Sequence, residues 1–261
     1  MEWRVVVAHD ELAFTPAWRL SELIRQRELS SIELTRHLLE RIQRHNPKLN
    51  AFLTVSADEA VAASERAHDQ LMRGEDLGAL HGIPLSIKDL VATQGIRTTR
   101  GSRIFQDDVP EQDDILVERI RAAGAIILGK TNTPEFGHRG TTENLLGDAC
   151  RNPWNLELTA GGSSGGAAAA LAAGLGPLAT GSDGGGSIRI PAAFCGVFGI
   201  KPTQGRVPRL YPTPGGWGMF SQNGPMGRDV RDVGFFYKSC RVLTPGTHPP
   251  SGKTPPIFSD H

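Results

Sequence analysis

The stretch "GGSSGGAAAALAAGLGPLATGSDGGGSIRIPA", Gly161 to Ala192, holds four serines, ten glycines and a single acid. Such a composition invites a flexible Gly/Ser linker. That reading fails, because the glycines bracket an Ala-Leu helix and an apolar strand that belong inside a packed domain. A phosphate loop fails too: it needs GxxxxGK[ST], and no lysine lies between Lys130 and Lys201. No GxGxxG sits at a strand-to-helix turn with an acid about 20 residues on, which argues against a dinucleotide site.

Serine catalysis remains. "GGSSGG" matches GxSxG twice, with Ser163 or Ser164 at its centre. A hydrolase elbow of that kind requires an acid and then a histidine further along the chain. The only later histidines are His248 and His261, both in a proline-rich segment, whereas His81 and His138 lie upstream. Lys88 in "PLSIKDL" is the alternative base, since it leaves an apolar strand in a chain where Arg far outnumbers Lys. Most lysines are solvated surface groups, and at an unperturbed pKa only roughly one in two thousand is neutral at pH 7. Burial at the end of an apolar strand is the physical route to a neutral, basic amine.

Outward from this stretch the chain divides. Three helices are expected first. One follows Thr15-Pro16, read as a cap and first-turn proline. The second follows a Ser30–Glu33 capping box and stops before Pro47; the third runs from a Ser56–Glu59 box to a stop at Gly74. From "HGIPLSIKDLV" onward the pattern changes to short apolar runs, Ile83–Ile87 and Ala125–Lys130, alternating with helices near Asp114–Ala123 and Ala167–Ala173. That alternation predicts an α/β fold. Residues 1–240 are expected to form one domain, with a helical segment over 15–75 and a core over 80–235; 241–261 reads as an irregular Pro-rich tail.

Composition narrows the function classes. Lys+Arg and Asp+Glu balance at 28 each, so no global field draws nucleic acid or an anionic membrane. The three cysteines are far apart and form no CxxC pair, which predicts neither a disulfide framework nor a metal site. The start carries no leader pattern and the chain no 18-residue apolar run, so the cytoplasm is the expected compartment. Cys150 with Lys88 and Glu135 would evoke a nitrilase-type thiol site, yet no nitrilase motif surrounds it. Cys195 reads as a packed small apolar residue.

Taken together, "GIPLSIKDL", "GAIILGKTNTPEF" and the run from "RNPWNLELTAGGSSGG" through "SDGGGSIRIPAAFCGVFGIKPT" resemble the amidase signature enzymes over about residues 15–235. The resemblance implies a mixed β-sheet flanked by α-helices with a helical N-terminal segment. It also implies a Ser–cis-Ser–Lys triad with Lys88 as base, Ser163 as the serine in the cis link and Ser187 as acyl nucleophile. The backbone N–H groups around Gly184, Gly185, Gly186 and Ser187 would form the oxyanion hole. Ser164, Asp183 and Arg189 would be supporting residues, the last two as a buried ion pair. Asp89 is expected to turn its carboxylate away from Lys88. Many members carry Thr, Ile or Val where Gly184 stands.

What the resemblance implies about function is hydrolysis of a small-molecule carboxamide, with no cofactor. A homodimer is an expected assembly, and nucleic acid is expected only if the chain is the glutaminase component of a tRNA amidotransferase. The "TNTPEFG" and "DGGGSIRIPA" segments favour a stand-alone amidase over that component. Family members run nearly twice as long, so the C-terminal part of the fold is expected to be missing. An inactive truncated remnant is therefore a third expectation.

Overall fold

Apolar periodicity carries the helices, and long-range partners finish their ends. The structure is a computed structural model that describes residues 9–209 and 218–241. After α1 (His9–Leu12) comes α2 (Ala17–Arg25), which buries Ala17, Leu20, Leu23 and Ile24 on one face. Its N-cap is Pro16, not Thr15, and no local side chain caps it; Asp232 accepts from the Trp18 N–H at 3.1 Å instead. Helix α3 (Ser31–Leu49) starts as expected, with Ser30 accepting from the Glu33 N–H at 3.0 Å. It does not stop before Pro47. The proline sits in the last turn, where its missing N–H removes a single bond, and Asn50 ends the helix in a left-handed conformation.

Strand β1 (Phe52–Val55) leads to α4 (Ala57–Met72). Here the Ser56 side chain does not cap the helix. Its hydroxyl donates to the Ile127 carbonyl at 3.1 Å, tying the helix start to the sheet. Next come β2 (Pro84–Lys88), α5 (Ile115–Ala122) and β3 (Ile126–Thr131), with Asp114 capping α5 through the Leu116 N–H. A hairpin of β4 (Arg151–Asn152) and β5 (Asn155–Thr159) precedes α6 (Gly165–Ala172) and β6 (Leu178–Asp183). Helix α7 (Arg189–Cys195), strands β7 (Phe198–Gly199) and β8 (Gln222–Gly227), and α8 (Val230–Cys240) complete the described chain.

The main sheet is mixed, in the order β1-β3-β2-β6-β8-β7. Its centre, β3-β2-β6, is parallel, and every residue of these three strands is buried. Burial on both faces explains why they read as unbroken apolar runs rather than alternating ones. Helix α6 is buried on every side and made of Gly, Ala and Leu, so it packs closely against β2, β3 and β6. A Cβ on its Gly166 would lie 2.3 Å from the Asn132 nitrogen. One buried apolar cluster runs from Leu12 to Cys240. The expected tail begins at 241, and residues 242–261 lie outside the described residues.

Candidate active site

Lys88, Thr131 and Asp183 are the last residues of β2, β3 and β6, so one site forms at the carboxyl ends of three neighbouring parallel strands. The Lys88 N–H donates to the Thr180 hydroxyl on β6 at 3.0 Å, which pins the lysine to the adjacent strand. Its side chain is 0% exposed. Around Nζ lie the hydroxyls of Ser163 at 2.7 Å, Ser164 at 2.9 Å and Ser182 at 3.0 Å. Burial pushes the Lys88 pKa well below the ordinary lysine value; the positive charge of Arg209 adds to that, and Asp183 opposes it. A neutral amine offers two N–H donors and one lone pair, so three hydroxyls match it with two bonds given and one accepted.

Ser163 and Ser164 follow β5 in a loop whose Gly162–Ser163 peptide bond is cis. Gly162 is required by close approach, since a Cβ there would sit 2.5 Å from the Thr141 carbonyl oxygen. The Ser164 N–H donates to the Ser187 carbonyl at 3.1 Å, so one backbone bond joins the two serine-bearing loops. Ser163, Ser182 and the half-buried Ser187 line a common cavity of about 180 Å³, together with Gly184 and Gly185.

Asp183 organises the loop that carries Ser187. Its carboxylate accepts from the Gly186 N–H at 2.7 Å and the Ile188 N–H at 3.2 Å, and from Arg189 Nε at 2.9 Å. Burial alone would raise the Asp183 pKa, but the bonds from Arg189, Gly186 and Ile188 outweigh it and hold the group below the usual carboxylate value. The ion pair is buried on the acid side only, because the Arg189 side chain is 58% exposed. The Gly186 N–H is engaged by Asp183, whereas Gly184 and Gly185 are exposed to the cavity.

Asp89 turns to the Thr99–Gly101 loop, accepting from the Thr99 N–H at 3.0 Å and from the Thr99 hydroxyl. Burial raises its pKa, and the nearby charge of Lys130 works against that rise. Cys150 is buried and its thiol is pushed up by burial, which leaves it a poor nucleophile. Burial likewise pushes the Cys195 thiol up to about 12. Ser182 does not stand out in the sequence, although it touches the Lys88 amine directly. The available signal is its place two residues before Gly184, at the end of an apolar run.

A sequence profile for the family described as Amidase matches residues 33–251. A glutamyl-tRNA(Gln) amidotransferase component from Roseiflexus castenholzii is 49% identical over 223 residues, which are 84% of this chain and 45% of that protein. A bacterial aryl acylamidase of the amidase signature family superposes with a TM-score of 0.84 at 36% identity, over 90% of this chain and 49% of its own. The native peptide amidase from Stenotrophomonas maltophilia gives a TM-score of 0.81 at 35% identity, over 88% and 48%. The chain thus spans about half the length of the curated relatives it matches. A mixed sheet carrying a lysine among serines at its carboxyl edge agrees with those likenesses, and the chain belongs to the amidase signature family.

Proposed function

We propose that the chain hydrolyses a carboxamide through an acyl-enzyme on Ser187. Neutral Lys88 takes a proton from Ser163 as Ser163 takes one from Ser187, and Ser187 Oγ attacks the amide carbon. The N–H groups of Gly184, Gly185 and Ser187 receive the developing oxyanion, the Gly186 N–H being engaged by Asp183; each such donor is typically worth roughly 3–4 kcal/mol in the transition state. The same relay returns a proton to the leaving nitrogen, the C–N bond breaks, and water releases the acid from Ser187. The observation that supports this most directly is the wholly buried contact of 2.7 Å between Lys88 Nζ and Ser163 Oγ. A fluorophosphonate probe, with peptide mapping, tests it. Labelling is expected on Ser187 and is expected to vanish in Ser187→Ala and Lys88→Met. Unchanged labelling of Ser187→Ala would remove Ser187 from the role.

A second reading is the glutaminase component of a tRNA amidotransferase, supported by the names of relatives such as the one from Roseiflexus castenholzii. The chemistry at Ser187 is the same, but the ammonia passes to an acceptor held by partner proteins. Glutamine hydrolysis that appears only when such partners are added would favour it over the stand-alone amidase.

A further inference from the structure

The cavity that holds Ser163, Ser182 and Ser187 has a one-sided charge. Arg209, Arg139 and His138 line it, and no aspartate or glutamate is among the described residues that do. Arg139 and His138 are at its rim, on the loop after Pro134. Arg209 approaches from the segment before β8, with Nη1 donating to the Ser221 carbonyl at 3.0 Å. Its charge reaches Lys88 as well, so the guanidinium and the base share one field. Asp183, close behind the cavity, is engaged by Arg189 and by the backbone of the nucleophile loop.

We infer that this pocket selects amides that carry a carboxylate and no ammonium group. The inference rests on the amidase reading of the same cavity and adds the class of substrate. Two guanidiniums at a small, partly enclosed site attract an anion more strongly than they would in open water, because low-dielectric walls focus the field. Arginine also matches carboxylate geometry through paired N–H donors. The volume of about 180 Å³ suits a small molecule. An α-ammonium would meet positive charge with no acidic side chain among the described lining residues, so glutamine is disfavoured relative to its des-amino analogue. The carboxylate belongs either to the acyl part of the amide or to its amine part, and the two positions share this chemistry.

The Ser187→Ala chain, which binds without turnover, serves for titration calorimetry at low and moderate salt. Glutaramate is compared with glutaramide and with glutamine for the acyl side; N-acetylglycine is compared with N-acetylglycinamide for the amine side. At least one anionic amide is expected to bind about tenfold or more tighter than its neutral isostere, with glutaramate ahead of glutamine and the preference shrinking as salt rises. Arg209→Met is expected to remove most of the preference. The rim variant Arg139→Gln, at an exposed position, is expected to reduce it less and guards against a folding defect in the first.

Equal affinities for the anionic and neutral members of both pairs, no binding of either, or an unchanged preference in both variants would overturn the inference. Fluorophosphonate labelling of Ser187 in the unmodified chain separates the two failures. Labelling without anion preference sinks the selectivity and leaves the amidase reading standing. Anion preference without labelling does the reverse.

Discussion

Lys88 has to be buried enough to lose its proton and connected enough not to unfold the site. The hydroxyls of Ser163, Ser164 and Ser182 meet the second need, and a shell of neutral hydroxyls rather than carboxylates meets the first. Removing one of these hydroxyls therefore has a graded effect. Ser182→Ala is expected to lower kcat/KM by roughly 2–10-fold, the value of one ordinary hydrogen bond, against roughly 10⁴–10⁶-fold for Ser187→Ala. Steady-state kinetics on a simple amide measures both. Arg209 offers a pH test. Its charge lowers the Lys88 pKa, so Arg209→Met should let that pKa rise, and the acid limb of the rate–pH profile should move to higher pH. At this scale the sequence is informative because the residue types carry the chemistry: downstream histidines found only in the proline-rich segment shift the weight from the GxSxG match to Lys88. Ser182 is silent in the sequence because serines are common, and only the sheet register between β2 and β6 brings its hydroxyl to the base.

Among the elements, the loop from Asp183 to Arg189 makes different demands on its glycines. Gly186 has φ +116, and a Cβ there would meet Ile190 at 2.9 Å, whereas a Cβ on Gly184 would find its nearest neighbour at 3.6 Å. Gly184→Ala is expected to fold and keep activity within a few-fold. Gly186→Ala should lose about 1–2 kcal/mol in chemical denaturation, the usual penalty for a side chain in that backbone region, and should lower activity further by displacing the loop. A second element-level prediction concerns β3. Lys130 is buried, and its Nζ donates to the Val91 carbonyl and to the hydroxyls of Thr93 and Thr98. Burial lowers its pKa to about 8, partly offset by Asp89. The unfolded chain then binds the extra proton between about pH 8 and the free-lysine value near 10.4, so the unfolding free energy should rise with pH across that window. Lys88 acts in the same direction. Urea midpoints from pH 7.5 to 10 should show the rise, and Lys130→Met should flatten part of it. Helix and strand identities are legible from periodicity here, but helix ends are not. Ser56 caps nothing and Thr15 is not needed, because β3 and α8 supply what the local sequence only promises.

For the molecule as a whole, one buried apolar cluster spans the chain from α1 to α8, and β7 is the outermost strand on its side of the sheet among the described residues. Phe198 on that margin is 48% exposed, and Phe194 and Phe220 are also exposed. Exposed aromatic side chains beside an outermost strand favour pairing between chains. Sedimentation velocity is expected to show concentration-dependent association that Phe198→Lys reduces. Among the described residues no helix is long and apolar enough to cross a membrane. The order of strands in the sheet is beyond the sequence, since β8 inserts between β6 and β7 through contacts distant along the chain. That distance has a consequence for synthesis. The N-terminal turn of α2 takes its cap from Asp232, 214 residues beyond Trp18. Until residue 232 has been made, the Trp18 N–H lacks that carboxylate, and the first turn of α2 is one hydrogen bond short. The N-terminal segment is therefore completed only by a part of the chain translated after the whole sheet.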